Sequence, residues 1–186
     1  FRISPDVEPR RGHWAIYATT LVRRIARNFA ASPISGADIA FASDLPPAAG
    51  MSSSSALTVG LSLALANASR LNQRSEYREH LATLEELAGY LGAIESGQSV
   101  PGLPGDLGVG TLSGCEDQTA SLGARSGALL RASFCPVRIE QVIRNPVDNA
   151  VKFSPPTGLI DVSAAVQGDV MVVAVKDDGP GVAPEY

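Results

Sequence analysis

Apolar residues recur at helical spacing in two stretches of the first part of the chain, and a continuous apolar run lies between them. The spacing predicts a helix that begins at Gly12 and ends at Ser32-Pro33 and a helix over 75–94, and the apolar run predicts a buried helix over 56–68. Alternation over 37–43 predicts a strand directly before the buried helix. The first part of the chain is therefore expected to pack helices against at least one strand.

The second part of the chain adds strand signals. A strand is predicted at 128–134 and a helix over 139–153. Two alternating runs, 159–166 and 170–175, flank Gln167-Gly168-Asp169 and predict a β-hairpin. Residues 97–114 are rich in glycine and proline and predict a loop near a site or a flexible lid. Together these elements predict an α+β fold.

Composition narrows the class of protein. The chain has 186 residues, 45% hydrophobic and 18% charged, which is typical of a globular protein with one domain or two small ones. Its character changes after Pro136, which predicts segments at 1–136 and 137–186. The net charge of −4 argues against a nucleic-acid partner. Arginines on the first helix are expected to form a solvated face.

Cysteine and histidine are scarce, so several kinds of site are excluded. Cys115 and Cys135 form neither a disulfide framework nor a zinc spacing, and two histidines are too few for a His-based metal site. The longest apolar run is too short to span a bilayer, and no signal peptide is visible. These features predict a soluble, cytoplasmic protein without membrane partners. The chain begins Phe-Arg-Ile rather than with methionine, which we interpret as a piece of a longer protein.

The most informative stretch runs Asp44-Leu-Pro-Pro-Ala-Ala-Gly-Met-Ser-Ser-Ser-Ser-Ala56. Gly50 allows a tight turn, and the serines can cap the following helix, whose first N–H groups lack intrahelical partners. A strand, a small-residue loop and a helix N-terminus together form an anion-binding site. This pattern predicts a phosphate-binding loop, and the alternative is a Ser/Ala/Gly linker that only caps the helix.

The same stretch resembles the Pro-x-Gly-x-Gly-Leu-Ser-Ser-Ser-Ala loop of the GHMP small-molecule kinases, which include galactokinase, homoserine kinase and mevalonate kinase. The matching residues are Pro46, Gly50, Ser52, Ser53 and Ser54. Ala48, Met51 and Ser55 stand where glycine, leucine and alanine are usual. The resemblance implies that Pro46, Gly50 and the serines 52–55 bind the phosphates of ATP.

Two further segments resemble this family in the expected order. The segment Tyr90-Leu-Gly-Ala-Ile-Glu95 resembles the one that supplies a magnesium carboxylate, with Ser54 or Ser53 as the implied co-ligand. Asp117, in Gly114-Cys-Glu-Asp-Gln118, matches the catalytic aspartate, which accepts or orients the proton of the substrate hydroxyl. Taken singly, Glu95 could be a solvated helix-end carboxylate and Asp117 a helix cap. The resemblance covers about residues 12–135 and is nearest to the galactokinase-like branch, which implies a sugar substrate.

A second resemblance begins after residue 137. The segments Asn145-Pro-Val-Asp-Asn149-Ala-Val-Lys152-Phe and Asp177-Asp-Gly179-Pro-Gly181 resemble the asparagine box and first glycine box of sensor histidine kinases. The resemblance implies that Asn149 holds Mg²⁺ at the ATP phosphates and that Asp177 accepts from the adenine amino group. Asn145, Lys152, Gly179 and Gly181 complete the implied ATP site. A proline inside a helix removes a hydrogen bond, so Pro146 is expected to kink this helix.

These resemblances together predict a GHMP kinase N-terminal-domain-like segment (ribosomal S5 domain 2-like) followed by a partial Bergerat-type α/β sandwich. The predicted function is an ATP-dependent phosphotransferase of GHMP type that uses Mg²⁺ and acts on a sugar or similar hydroxyl. One alternative is the ATP-binding portion of a sensor histidine kinase. Another is a non-catalytic fused fragment, which would self-associate through exposed apolar surface.

Overall fold

A computed structural model describes residues 3–31, 33–46, 50–111, 114–126, 128–144, 146–168 and 170–181. The chain is mixed α and β and divides into two compact units, residues 1–123 with 132–139 and residues 124–131 with 140–186. The helices and strands, in chain order, are α1 (Ala15–Asn28), α2 (Ser53–Ala68), α3 (Ser75–His80), α4 (Leu84–Ser96), α5 (Glu116–Gly123), β1 (Ala128–Ser133), β2 (Arg138–Arg144), α6 (Pro146–Phe153), β3 (Ile160–Gln167) and β4 (Val170–Asp177). A short 3₁₀ helix, Leu71–Gln73, follows α2.

The first unit is built from helices that pack around one apolar core. The predicted helices α1 and α2 are confirmed, and α1 buries the apolar stripe that its spacing predicts. α2 begins at Ser53, so the serines 53–55 form its first turn instead of preceding it. The core consists of residues of α1, α2 and α4, among them Leu21, Ile25, Leu65, Leu91 and Ile94, together with Phe29 directly after α1.

The single helix predicted over 75–94 is wrong, because the chain breaks between His80 and Leu84. Thr83 caps α4: its hydroxyl accepts from the N–H of Glu86 at 3.2 Å, and the Glu86 carboxylate accepts from the Thr83 N–H at 2.8 Å. This reciprocal pair satisfies two donors that a helix start leaves open. The hydrogen bond that the Glu86 carboxylate accepts from the backbone N–H of Thr83 is the main cause that lowers the pKa of Glu86.

The strand predicted at 37–43 is also wrong. The segment is irregular and exposed in the structure. Among the described residues, the sheets contain only β1 with β2 and β3 with β4, so this segment has no strand with which to pair its backbone. Its apolar side chains instead face α1, where Phe41 meets Trp14 edge-on with ring centroids 5.9 Å apart. Ile39 and Phe41 line an apolar cavity of about 730 Å³ beside that helix.

The glycine-rich loop after α4 is irregular, as predicted, but it folds back onto the end of the helix. Gly97 ends α4 in the left-handed conformation with φ +81°. The N–H of Val109 then donates to the carbonyl of Glu95 at 2.9 Å, and the N–H of Asp106 donates to the carbonyl of Gly97 at 3.2 Å. A Cβ at Gly108 would lie 2.5 Å from the Glu95 carbonyl oxygen. The loop therefore needs glycine because two backbone segments touch there.

Two of the three arginines of α1, Arg23 and Arg24, do not lie on the solvated face that the sequence suggests, whereas Arg27 is exposed. Arg23 is buried and donates to Asp106 at 2.7 Å, while Arg27 contacts the same carboxylate at 3.2 Å. Arg24 is buried as well, with its guanidinium 5.7 Å from the centre of the Tyr90 ring. Burial disfavours the charged form of Asp106, but the hydrogen bond from Arg23 and the charges of both arginines lower its pKa. These contacts tie α1 to the glycine-rich loop.

In the second unit, β3 and β4 form the predicted antiparallel hairpin, in which Ile160 pairs with Asp177 and Gln167 with Val170. Gly168 turns the chain with φ +63°.

The helix predicted over 139–153 is wrong in its first half, because residues 138–144 form β2, which pairs with β1. The β-branched residues of the β2 sequence favour a strand over a helix. Pro146 is the first residue of α6, where a missing N–H costs nothing, so the expected kink is wrong as well.

Among the described residues, no helix combines the length and apolar character that crossing a membrane requires.

We expect Asp106→Asn to lower the free energy of unfolding by about 3 kcal/mol at pH 7, because it removes the buried negative charge that Arg23 contacts at 2.7 Å and leaves Arg23 only the Val7 carbonyl and the exposed Glu8. The folded pKa of Asp106 lies below its ordinary value of about 3.9, so this stabilisation is present above that pH and disappears as the pH falls further. Urea unfolding at several pH values measures it. Glu8→Gln is the control, since Glu8 is exposed and its carboxylate lies 3.7 Å from Arg23. Equal stability of the two variants at pH 7 would contradict the assignment.

A second prediction concerns backbone contact in the loop. Gly108→Ala should lower the free energy of unfolding by about 1–3 kcal/mol, because the new methyl group collides with the backbone of α4. Gly60→Ala is the matched control: no atom lies within 4 Å of a Cβ there, and Gly60 is exposed inside α2. That substitution should stabilise by about 0.5–1 kcal/mol through helix propensity. Thermal unfolding of both variants shows whether each substitution lowers or raises the stability of the protein.

Candidate active site

The candidate site lies in the first unit, where the first turn of α2, the last turn of α4 and the first turn of α5 pack together. Ser55 comes from α2, Glu95 from α4, and Asp117 with Gln118 from α5. Three of the sequence elements that predicted chemistry therefore meet in space, as their order along the chain suggested.

Glu95 is the centre of this cluster. It is 3% exposed, so it is not the solvated helix-end carboxylate that the sequence left open. The hydroxyl of Ser55 donates to Glu95 Oε2 at 3.3 Å. Burial raises the pKa of Glu95, and the negative charge of Asp117 adds to that rise, whereas Ser55, Gln118 and Thr58 favour the ionised form. A carboxylate held in this way attracts a cation or a proton.

The cluster holds polar atoms without partners. Among the described residues, Glu95 Oε1 and both amide atoms of Gln118 are buried and make no hydrogen bond. Gln118 faces the Glu95 carboxylate and favours its ionised form, but the geometry of a hydrogen bond is not reached. Most buried polar groups in proteins are paired, so each exception calls for a missing ligand, ion or water.

Oxygen ligands of this kind suit Mg²⁺. Carboxylate and hydroxyl oxygens are ligands that this ion takes, usually from one or two protein carboxylates, with water and phosphate oxygens completing the octahedron. The described residues contain no group of three or more His, Cys, Asp or Glu side chains that could hold a metal by themselves. Glu95 with a serine hydroxyl therefore fits Mg²⁺ bound together with a nucleotide better than a dedicated metal cage.

The serine loop, residues 50–55, turns the chain into α2 and forms its first turn. Gly50 and Ser52 have positive φ angles of 70° and 50°, which turn the chain sharply into the helix. The Ser52 side chain makes no capping hydrogen bond, although its carbonyl accepts from the N–H of Ala56 at 3.0 Å. Without that cap, the first-turn N–H groups can bind an anion. Pro46 is exposed before this turn, while residues 47–49, including Ala48, lie outside the described residues.

The serines of the first turn differ in position. Ser53 is exposed, Ser54 is half-buried, and Ser55 is buried against Glu95. The carbonyl of Ser54 accepts from the hydroxyl of Thr58 at 3.0 Å. The hydroxyl that contacts the carboxylate is thus that of Ser55, and the role of Ser54 as a metal ligand stays a prediction.

Asp117 is exposed on the first turn of α5 and lies near enough to Glu95 for its charge to affect that carboxylate. It is the second residue of α5. A Cβ at Gly92 would approach Cys115 within 2.7 Å, so this glycine lets α5 begin directly against α4. The close approach is what brings Asp117 towards Glu95.

Sequence reasoning assigned no role to Gln118 or Thr58. Both are buried in the cluster, at 0% and 1% exposure. Thr58 could have been found because it follows Ser55 by three positions on one helix face. Gln118 stands in the segment that identified Asp117, but only tertiary packing shows that it turns inward.

In the second unit, α6 packs against β4. Asn149 and Lys152 lie on α6, Asp177 is the last residue of β4, and Gly179 and Gly181 follow it. Asn149 and Lys152 are exposed on α6, and the Lys152 ammonium lies 5.2 Å from the centre of the Phe153 ring. Asp177 Oδ1 accepts from the N–H of Gly179 at 2.7 Å. Gly181 has φ +73°. Asn145 lies outside the described residues, so its position beside Asn149 stays a prediction.

Two family models match this chain. The model described as "GHMP kinases N terminal domain" matches residues 17–124. The model described as "Histidine kinase-, DNA gyrase B-, and HSP90-like ATPase" matches residues 135–186. Both domains indicate an ATP-binding, kinase-like fold.

Similar curated proteins cover a small part of the chain. The "Sensor protein QseC" of Salmonella typhi is 38% identical over 50 residues, which is 27% of this chain and 10% of that protein. The "Histidine protein kinase SaeS" of Staphylococcus epidermidis is 41% identical over 49 residues, 25% of this chain and 14% of that protein. The chain thus spans about a tenth to a seventh of the length of these relatives. No solved structure matches it.

The GHMP match covers more than half of the chain and contains the serine loop, Glu95 and Asp117. The chain therefore belongs to the GHMP kinase family through its residues 17–124, and its residues 135–186 carry a histidine kinase-type ATPase domain segment.

Proposed function

We propose that this protein is an ATP-dependent phosphotransferase of GHMP type that phosphorylates a hydroxyl of a small molecule such as a sugar. The observation that supports this most strongly is the buried Glu95, with one unpartnered oxygen, between the serine turn of α2 and Asp117 of α5. Phosphoryl transfer requires a site for the phosphates, oxygen ligands for a metal ion and a group that orients the acceptor hydroxyl.

Each role has a residue in the first unit. The uncapped N–H groups at the start of α2, with Gly50 and the serines 52–54, would bind the phosphates. Glu95 and Ser55 would hold Mg²⁺, which neutralises charge on the transferred phosphoryl group when it is bound. The exposed carboxylate of Asp117 would accept or orient the proton of the acceptor hydroxyl. The galactokinase-like segments favour a sugar as the acceptor.

Asp117→Asn should lower kcat for sugar-dependent ATP turnover by about 10²- to 10⁴-fold and leave ATP affinity within twofold, because it removes only the proton acceptor. A coupled assay of ADP release with a panel of free sugars measures the rate, and calorimetry measures ATP affinity. Glu116→Gln is the matched control, since Glu116 is exposed on the same turn of α5. Full sugar phosphorylation by Asp117→Asn would show the mechanism to be wrong.

A second candidate function places nucleotide binding in residues 135–186, as in a signalling kinase. The ATPase family match there and the names of the similar proteins, a sensor protein and a histidine protein kinase, favour it. Asn149 is exposed on α6 and could reach a ligand.

Calorimetric titration with ATP in excess Mg²⁺ separates the two candidates. Our proposal predicts that Ser53→Ala weakens ATP binding by about tenfold, or ~1.4 kcal/mol, and that Asn149→Ala leaves it unchanged. The reverse result would assign the nucleotide to the second unit. An absence of binding by the unaltered chain would favour the non-catalytic fragment.

A further inference from the structure

Gln118 is the most unusual buried side chain among the described residues. It is 0% exposed, and neither its amide oxygen nor its amide nitrogen makes a hydrogen bond within the described part of the chain. A buried amide without partners loses its hydration and gains nothing in return, whereas an apolar side chain of similar size would pack there without that cost. Its polar neighbour is the Glu95 carboxylate, with which it closes no hydrogen bond, so the two side chains leave a position for a bound ligand, ion or water.

The fold holds Gln118 rigidly in this place. The N–H and hydroxyl of Thr119 both donate to the carbonyl of Cys115, at 2.9 and 2.7 Å, which fixes the first turn of α5. Cys115 in turn packs against Gly92 of α4. Glu116 and Asp117 on the same turn are exposed, so Gln118 is the residue of this turn that points into the cluster.

The surroundings of Gln118 indicate what kind of ligand fits there. The amide faces the Glu95 carboxylate, whose Oε1 is also buried without a partner, and Ser55 holds the other carboxylate oxygen. An amide contributes an oxygen ligand without adding negative charge beside Glu95 and Asp117. A third carboxylate there would repel both of them.

We propose that Gln118 is a positioning residue for a divalent cation: its amide oxygen faces the Mg²⁺ held by Glu95 and Ser55, directly or through a bound water, and its amide N–H groups orient Glu95. This inference rests on the proposed function, because it concerns the same metal. It adds a neutral third residue, supplied by α5, to the two that come from α2 and α4.

Binding of Mn²⁺ to the full chain, measured by the EPR signal of the free ion with and without a non-hydrolysable ATP analogue, tests this proposal. Gln118→Met removes both polar atoms at similar volume and should weaken Mn²⁺ affinity by about tenfold or more. Without metal, its melting temperature should equal or exceed that of the unaltered chain, because an unsatisfied amide has been replaced. Gln73→Met is the control, since Gln73 is exposed on the 3₁₀ helix.

Unchanged Mn²⁺ affinity together with a lower melting temperature would show that Gln118 only fills space, and would overturn the proposal. If Gln118→Met does not fold, Gln118→Glu keeps the test decisive. That variant should be less stable than the unaltered chain without metal and should gain a larger rise in melting temperature from Mn²⁺. A loss of stability that Mn²⁺ does not reverse would overturn the proposal too.

Glu95→Gln separates this inference from the proposed function. Loss of Mn²⁺ binding in Glu95→Gln with unchanged binding in Gln118→Met would keep the metal site and reject the role of Gln118. No Mn²⁺ binding by the unaltered chain, either alone or with the ATP analogue present, would reject both.

Discussion

The burial of the Glu95 carboxylate is the constraint on which the first unit depends. A carboxylate that is 3% exposed must be stabilised by polar groups, and here these groups come from the starts of two other helices. Ser55 can reach it because α2 begins within the run of serines, and Gln118 because Gly92 lets α5 approach closely. In the function that we propose, the same carboxylate attracts a cation, so the local cost of burying it would be linked to function.

The sequence predicted the elements whose pattern has one dominant period or the length of a helix. α1 carries a clear helical stripe, α2 is a continuous apolar run of helical length, and the β3–β4 hairpin carries alternation around Gly168. Prediction from the sequence failed where the contacts of a residue or segment lie far away along the chain. Residues 37–43 alternate like a strand but have no strand to pair with in the described part of the chain, and Arg23 is buried against Asp106, which lies far along the chain. Apolar spacing also could not separate β2 from α6, since short runs fit both periods.

The sequence named the segments that meet at the candidate site but not their geometry, and the roles of their residues stay predictions. The order of the serine loop, Glu95 and Asp117 named three parts that the fold brings to one place, because each lies at the end of a helix whose existence the pattern predicts. Which serine meets Glu95 depends on where α2 begins, a difference of one or two residues that periodicity does not fix. Pro146 shows the same limit: its effect reverses between the interior of a helix and its first residue.

The backbone bonds between α4 and the loop that follows it have a consequence for changes in chain length. Val109 and Asp106 donate to carbonyls of the last α4 turn and its cap, with glycines at the points of contact. A residue inserted or deleted between 97 and 109 would shift this register and detach the loop from Glu95. The stretch that most resembles a permissive linker is therefore one in which spacing is fixed, while tolerance to insertion is expected elsewhere.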